Sequence, residues 1–174
     1  VNVGARQLLQ SDFVAQLRAL LLRHPGITPG TLEIEVVESS ALEDISTVRL
    51  VIEQCSQLGV NFALDDFGTG HSSLTYLKRL PVTLLKIDPS FVSVMLQTAD
   101  DLAILEGVIN LAHGFRRQVM AEGVETSAQG ASLLQLGCEL AQGFAIARPM
   151  PAHELPHWIS AWKPDPAWQV AKAA

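Results

Sequence analysis

Two adjacent carboxylates, Asp65 and Asp66, stand at the end of an apolar run from Val60 to Leu64, just before Phe67-Gly68-Thr69-Gly70-His71-Ser72-Ser73. Neighbouring anions at the end of a buried strand repel each other and lose hydration, and a cation between them relieves both penalties. Hard divalent ions prefer such oxygen ligands. Gly68 and Gly70 allow a sharp backbone turn just beyond the pair. A solvated Asp-Asp turn accounts for the same residues, so the pair alone leaves both readings open. Other apolar stretches carry misplaced polar groups too: Asn2; Glu33, Glu35 and Glu38 in Leu32-Glu33-Ile34-Glu35-Val36-Val37-Glu38; Lys86 and Asp88; Glu122 and Glu125; and Gln142.

The elements that must position these groups follow from periodicity and breakers. Val1–Val3 reads as the end of a strand. Ser11 is a candidate N-cap for a helix over Asp12–His24, with Phe13, Leu17, Leu20 and Leu21 on one face. Strands are expected at Leu32–Val37, Val60–Asp65, Thr83–Asp88, Arg117–Ala121 and Glu139–Gln142. Between them the spacing predicts helices from Asp44 or Ser46 to Leu58, Ser72 to Arg79, Asp100 or Asp101 to Phe115, and Thr126 to Leu136. Pro89 suits the first turn of a short helix. Ala152–Trp162 is a last helix, and Lys163–Ala174, with Pro164 and Pro166, reads as a loosely held tail. Strand and helix alternate at intervals of about 25 to 30 residues, which signals parallel βα units. Six strands fall short of the eight, and of the roughly 250 residues, of a closed (β/α)8 barrel by about two units. The alternative is an open doubly wound sheet, but no glycine-rich nucleotide turn follows the first strand.

In that frame the polar residues gain a direction. Alternation puts Glu33 and Glu35 on one strand face and Leu32 and Ile34 on the other. Helices cover the apolar face, so the glutamates point into the barrel. Most of the remaining groups lie late in their strands, at the rim where barrel active sites are built. Each has a plain structural explanation: a snorkelling Lys86, a structural Glu33, helix-capping acids at Glu38 and Glu125, a satisfied core amide at Gln142. Together, Asn2, Glu35, Asp65, Asp66 and Glu122 make an oxygen-rich set suited to two Mg2+ or Mn2+ ions. Two such ions with a nearby lysine are suited to phosphate-ester hydrolysis, with Lys86 orienting the water or stabilising developing charge.

Composition narrows the classes. The chain is 48% hydrophobic and 17% charged, so it is globular. Its net charge of −6 argues against a DNA or RNA polymer as partner. Cys55 and Cys138 form no CxxC pair and read as reduced thiols. No run approaches the roughly 18 apolar residues of a membrane span. A cytoplasmic setting is expected, and tethering of a longer parent to the inner membrane stays open.

Leu64-Asp65-Asp66-Phe67-Gly68-Thr69-Gly70-His71-Ser72-Ser73, Tyr76-Leu77-Lys78-Arg79-Leu80-Pro81 and Leu85-Lys86-Ile87-Asp88 closely resemble the EAL-domain phosphodiesterases. So do Val1-Asn2-Val3-Gly4-Ala5-Arg6-Gln7-Leu8, Glu35-Val36-Val37-Glu38-Ser39, Ala121-Glu122-Gly123-Val124-Glu125-Thr126 and Gln142-Gly143-Phe144 through Arg148-Pro149. The resemblance implies a TIM-barrel-like (β/α)8 EAL domain over residues 1–162, with about its first two βα units outside this chain and residues 163–174 as a C-terminal tail. It implies hydrolysis of the bacterial second messenger cyclic di-GMP to linear pGpG with Mg2+ or Mn2+. Asn2, Glu35, Asp65, Asp66 and Glu122 would be metal ligands, with Asp65 bridging, and Lys86 would contact the catalytic water. Glu38 would anchor the loop after Asp66, Glu125 and Gln142 would support the site, and Arg148 and Pro149 would contact substrate. A homodimer, and an upstream regulatory or GGDEF-type domain in the parent, are implied as well. Val37 replaces a usual threonine and Gly4 a usual serine. The Glu-Ala-Leu signature, which carries a further metal ligand, is absent from the chain. The competing expectations are a cyclic di-GMP sensor without turnover and a module that mainly mediates association.

Overall fold

The computed structural model describes residues 1–38, 44–68 and 74–168. In chain order these residues form α1 (Ala5–Leu8), α2 (Phe13–Arg23), β1 (Glu33–Val37), α3 (Ile45–Ser56), β2 (Asn61–Phe67), α4 (Leu74–Arg79) and β3 (Leu84–Ile87). Then come α5 (Pro89–Val94), α6 (Ala99–Gly114), β4 (Gln118–Ala121), α7 (Ser127–Gln135), β5 (Leu140–Ala141) and α8 (Leu155–Ala161). The strands make one parallel sheet in the order β1-β2-β3-β4-β5. Sequential neighbours joined through helices are the βα repeat of an α/β barrel. The strand expected at Val1–Val3 is reduced to one parallel bridge, Asn2 to Glu35. The backbone holds it: Glu35 N–H donates to the Val1 carbonyl at 2.9 Å, and Val3 N–H to the Glu35 carbonyl at 3.0 Å.

Helix starts follow the side chains that can accept from orphan backbone donors. Asp44 accepts from Thr47 N–H at 3.1 Å and Asp88 from Ser90 N–H at 2.8 Å, the latter ahead of Pro89 at the start of α5. Three expected starts move. Asp12, not Ser11, is the N-cap residue of α2, although its side chain makes no capping hydrogen bond, and Thr98 caps α6 by accepting from Asp101 N–H at 3.1 Å. Asp100 and Asp101 therefore sit inside the first turn of α6, where their charge favours the positive end of the helix dipole. The last helix begins at Leu155 rather than Ala152. The predicted start of α4 at Ser72 lies outside the described residues.

Outside an irregularity at the end of β2, the sheet separates its two faces by alternation. Ile34, Val36, Phe62, Leu64, Leu85, Ile87, Val119 and Ala121 are all buried and belong to one hydrophobic core with Leu105, Ile109 and Leu133 from the helices. Burying a side chain the size of Phe62 or Ile87 contributes about 1.5–3 kcal/mol before entropy is counted, so this face fixes strand register. Register then fixes which residues share the opposite face: Glu35 with Ala63, Val37 with Asp65, Ala63 with Leu84 and Lys86 with Met120. That face carries the polar groups.

The end of the chain departs from expectation. Pro166–Trp168 forms a turn of 3-10 helix, and the Trp168 indole N–H donates to the Ser127 carbonyl at 2.9 Å. Gly130 of α7 provides the flat surface the indole lies on; a Cβ there would collide with the ring. The loosely held tail therefore does not include residues 166–168, because a half-buried aromatic and a hydrogen bond tie them to α7. Among the described residues no helix is long and apolar enough to cross a membrane.

Candidate active site

Lys86 is the centre of the polar face. It is only 4% exposed, at the middle strand of the sheet. Its ammonium has three protons to donate, and three carboxylates surround it, from the middle of β1, the latter half of β2 and the residue after β4. Glu35 Oε2 lies at 3.0 Å, Asp65 Oδ1 at 3.2 Å and Glu122 Oε1 at 2.7 Å. Register explains the meeting. Glu35 comes from β1, Asp65 from β2, and Glu122 follows β4 directly, its N–H held by the Ile87 carbonyl at 3.2 Å.

Asp66 reaches the same place through a local irregularity. Neighbouring strand residues point to opposite faces, so Asp65 and Asp66 should diverge. Between Leu64 and Phe67, however, β2 holds one residue more than its partner: Leu64 pairs with Leu85 and Phe67 with Ile87. This is a β-bulge, with Asp66 at φ 55°, in the left-handed region that Asp tolerates better than most residues. The bulge turns Asp66 back, and single carboxylate oxygens of Asp65, Asp66 and Glu122 lie within 4.8 Å of one another. Beyond it Gly68, at φ 102°, has no room for a side chain; a Cβ would meet the Phe91 ring at 2.8 Å. Its N–H donates to Glu38 Oε2 at 3.1 Å, and Glu38 is itself 3% exposed.

The electrostatics show a site short of positive charge. Glu35, Asp65, Asp66 and Glu122 put four carboxylates around one ammonium. Burial raises the pKa of Glu122, and the hydrogen bond from Lys86 only partly offsets it. Burial, then repulsion from Asp65 and Asp88, raises Asp66. Glu33 is raised by burial and by Glu35. Burial pulls Lys86 down, but hydrogen bonds to Glu122, Glu35 and Asp65 outweigh it, so its pKa is raised. All the donors at the rim are oxygens, and a surplus of partly buried anions is the setting that hard divalent cations satisfy.

The other expected residues are placed less centrally. Asn2 pairs in register with Glu35 and so shares its face, yet it is exposed. Glu125 and Gln142 are exposed; the Gln142 backbone ties the loop together, donating to the Ala121 carbonyl at 2.8 Å and accepting from Val124 N–H at 3.1 Å. Arg148 stacks over the Phe144 ring, 4.5 Å from its centroid, and Pro149 is exposed beside it. Among the described residues, no hydrogen bond or ion pair links Asn2, Glu125, Gln142, Arg148 or Pro149 side chains to the carboxylate group.

Sequence reasoning missed Gln129. This buried amide accepts from Glu125 N–H at 2.9 Å and Thr126 N–H at 3.0 Å, and donates to the Val92 carbonyl at 3.0 Å. With Thr126 it forms a capping box that holds the segment just after Glu122. The Thr-x-x-Gln spacing was the available signal. Gly143 was missed as well: a Cβ there would collide with the backbone of Val124.

Residues 1–149 match the EAL domain family. The chain is 44% identical over 155 residues to the bifunctional diguanylate cyclase/cyclic di-GMP phosphodiesterase MucR of Pseudomonas aeruginosa, covering 89% of this chain and 22% of that protein. It is 38% identical over 167 residues to the cyclic di-GMP phosphodiesterase NbdA of the same organism, covering 96% of this chain and 21% of NbdA. Among solved structures, a PaMucR phosphodiesterase in complex with c-di-GMP superposes with a TM-score of 0.83 at 44% identity, over 89% of this chain and 62% of that one. The EAL domain of Mycobacterium smegmatis DcpA superposes with a TM-score of 0.85 at 40% identity, over 91% and 71%. The chain thus spans about a fifth of the length of these curated relatives.

Proposed function

The chain belongs to the EAL domain family, a TIM-barrel-like α/β fold, and from that premise we propose that it forms part of a metal-dependent phosphodiesterase hydrolysing cyclic di-GMP to linear pGpG. The observation that carries the reading is the convergence of Glu35, Asp65 and Glu122 on Lys86, with Asp66 folded back to join them. The names of the relatives supply the substrate: MucR and NbdA are cyclic di-GMP phosphodiesterases, and the PaMucR structure contains c-di-GMP.

In this proposal Asn2, Glu35, Asp65, Asp66 and Glu122 hold two Mg2+ or Mn2+ ions. Such ions supply positive charge to the phosphoryl oxygens and make water a stronger nucleophile near neutral pH. The chain's own groups do the rest. Lys86, whose three protons all go to carboxylates here, would hold the attacking water once a carboxylate leaves it for an ion, and would shield the charge that builds on phosphorus-bound oxygen. One P–O ester bond breaks, water oxygen joins phosphorus, and the leaving ribose oxygen takes up a proton. Glu38 holds the loop behind Asp66 through Gly68, and Gln129 holds the segment behind Glu122. Arg148, flattened on Phe144, offers a cationic surface to the ligand at the β5 side, next to Pro149. A homodimer, a cytoplasmic setting and an upstream regulatory or GGDEF-type domain belong to the same proposal; the bifunctional MucR supports the last.

The test is turnover by the full-length protein. With Mn2+ it should convert cyclic di-GMP to pGpG, resolved by chromatography, and Asp65→Asn or Glu122→Gln should cost at least about a hundredfold in kcat. Cyclic di-GMP binding without any pGpG would replace the enzyme with a sensor.

A further inference from the structure

At the opposite end of the sheet, a concavity of about 440 Å3 opens where the chain leads into β3 and β4. Arg49 and Glu53 of α3, Lys78 and Arg79 at the end of α4, Pro81 and Arg117 line it. Pro81 and Arg117 precede strands whose other ends carry Lys86 and Glu122, so the two sites lie at opposite ends of the parallel sheet.

Charge is concentrated here against the overall balance. The chain carries −6, yet four of its twelve Lys and Arg side chains border this one space. Arg49 is matched by Glu53 at 2.7 Å. Among the described residues Lys78, Arg79 and Arg117 have no carboxylate at ion-pair distance. Arg117 is the unusual member. It gives one Nη2 hydrogen bond to the Leu80 carbonyl at 3.2 Å, but its Nε is buried without any partner. Burial also lowers its pKa. The buried Nε is out of a ligand's reach, so an anion would meet Arg117 through its Nη groups, and guanidinium N–H groups are shaped for the oxygens of phosphate.

We infer that this concavity binds a small oligophosphate anion, inorganic or the phosphate tail of a nucleotide, with Arg117, Lys78 and Arg79 as its ligands. Three unmatched cations call for an anion of more than one charge. The volume lies within the range of small-molecule sites, larger than a single phosphate needs. The carboxylate rim needs cations before it can accept a phosphate, whereas this site needs none, and that separates the two experimentally.

The experiment is calorimetric titration of inorganic pyrophosphate into the full-length protein in EDTA, where the carboxylate rim repels anions. Saturable binding of one pyrophosphate per chain is expected. The exposed double variant K78Q/R79Q should keep its melting temperature and bind at least about tenfold more weakly, and Arg117→Gln, if it folds, should do the same through its lost charge-assisted hydrogen bonds. GTP displacing pyrophosphate would identify a nucleotide tail as the ligand; GTP failing to do so would identify the inorganic anion. No saturable binding, or equal affinity in K78Q/R79Q, overturns the inference.

Discussion

Lys86→Met is the most informative single change, because methionine keeps the length of the side chain and removes only its charge. The ammonium is 4% exposed, and the Glu35, Asp65 and Glu122 side chains it contacts are 22%, 14% and 14% exposed. Removing one partner of a buried ion pair typically costs about 3–5 kcal/mol. The three carboxylates keep some water and can take up protons, so about 2–4 kcal/mol is expected here. For a domain of this size that is a Tm drop of about 5–15 °C. The variant leaves the carboxylates without their internal cation, so divalent ions should bind it more favourably. At a hundredfold excess over Kd, an ion returns about 2.7 kcal/mol of stability, enough to recover most of the loss. Calorimetry of wild type and Lys86→Met in EDTA and in Mn2+ reads both effects. A variant melting with the wild type in EDTA, or gaining no more from Mn2+ than wild type does, would refute the reasoning that Lys86 stands in for missing positive charge.

Other outcomes follow from the same geometry. Glu33, Asp66 and Glu122 have folded-state pKa values above their ordinary ones, so the folded state binds protons more tightly than the unfolded chain does. Metal-free protein should therefore gain stability from these groups as pH falls from neutral toward about 5, and Mn2+ should suppress or reverse that trend; a flat melting profile with and without Mn2+ would contradict it. Gln129→Leu deletes two acceptor contacts and one donor contact, leaving backbone groups of Glu125, Thr126 and Val92 to find water. A loss of about 2–4 kcal/mol in denaturant unfolding is expected, with faster amide exchange at Glu125 and Thr126. Burial pushes both Cys55 and Cys138 up to about 11, so native protein at pH 8 should resist thiol-specific reagents that label the unfolded chain fully.

The strands were legible because their apolar face is written with period two, and the position of most polar interruptions in their strands already told which face they served. Glu35 in β1 and Lys86 in β3 needed nothing more. Asp66 was different. Strand alternation alone would have sent it to the helix side, and only the bulge at Leu64–Phe67 brings it back. Nothing in Leu-Asp-Asp-Phe announces that extra residue, since its register depends on where Ile87 of the neighbouring strand falls. For Gln129 the Thr126-x-x-Gln129 spacing showed the capping box, but not that its amide would be buried against the Val92 carbonyl of another helix. The ordering of Pro166–Trp168 likewise depends on a partner, the bare surface at Gly130, that lies far away in sequence. The carboxylates from separate strands were foreseeable as a group, but the three-way embrace of Lys86 required coordinates.

The central claim is that carboxylates from separate strand ends form one cation-binding rim. Crystals of the full-length protein soaked in Mn2+, measured at the manganese absorption edge, test it directly. Anomalous peaks within coordination distance, about 2.1 Å, of Asp65, Asp66 and Glu122 oxygens are predicted. Carboxylates still gathered on Lys86, with no anomalous scatterer at the rim, would contradict it.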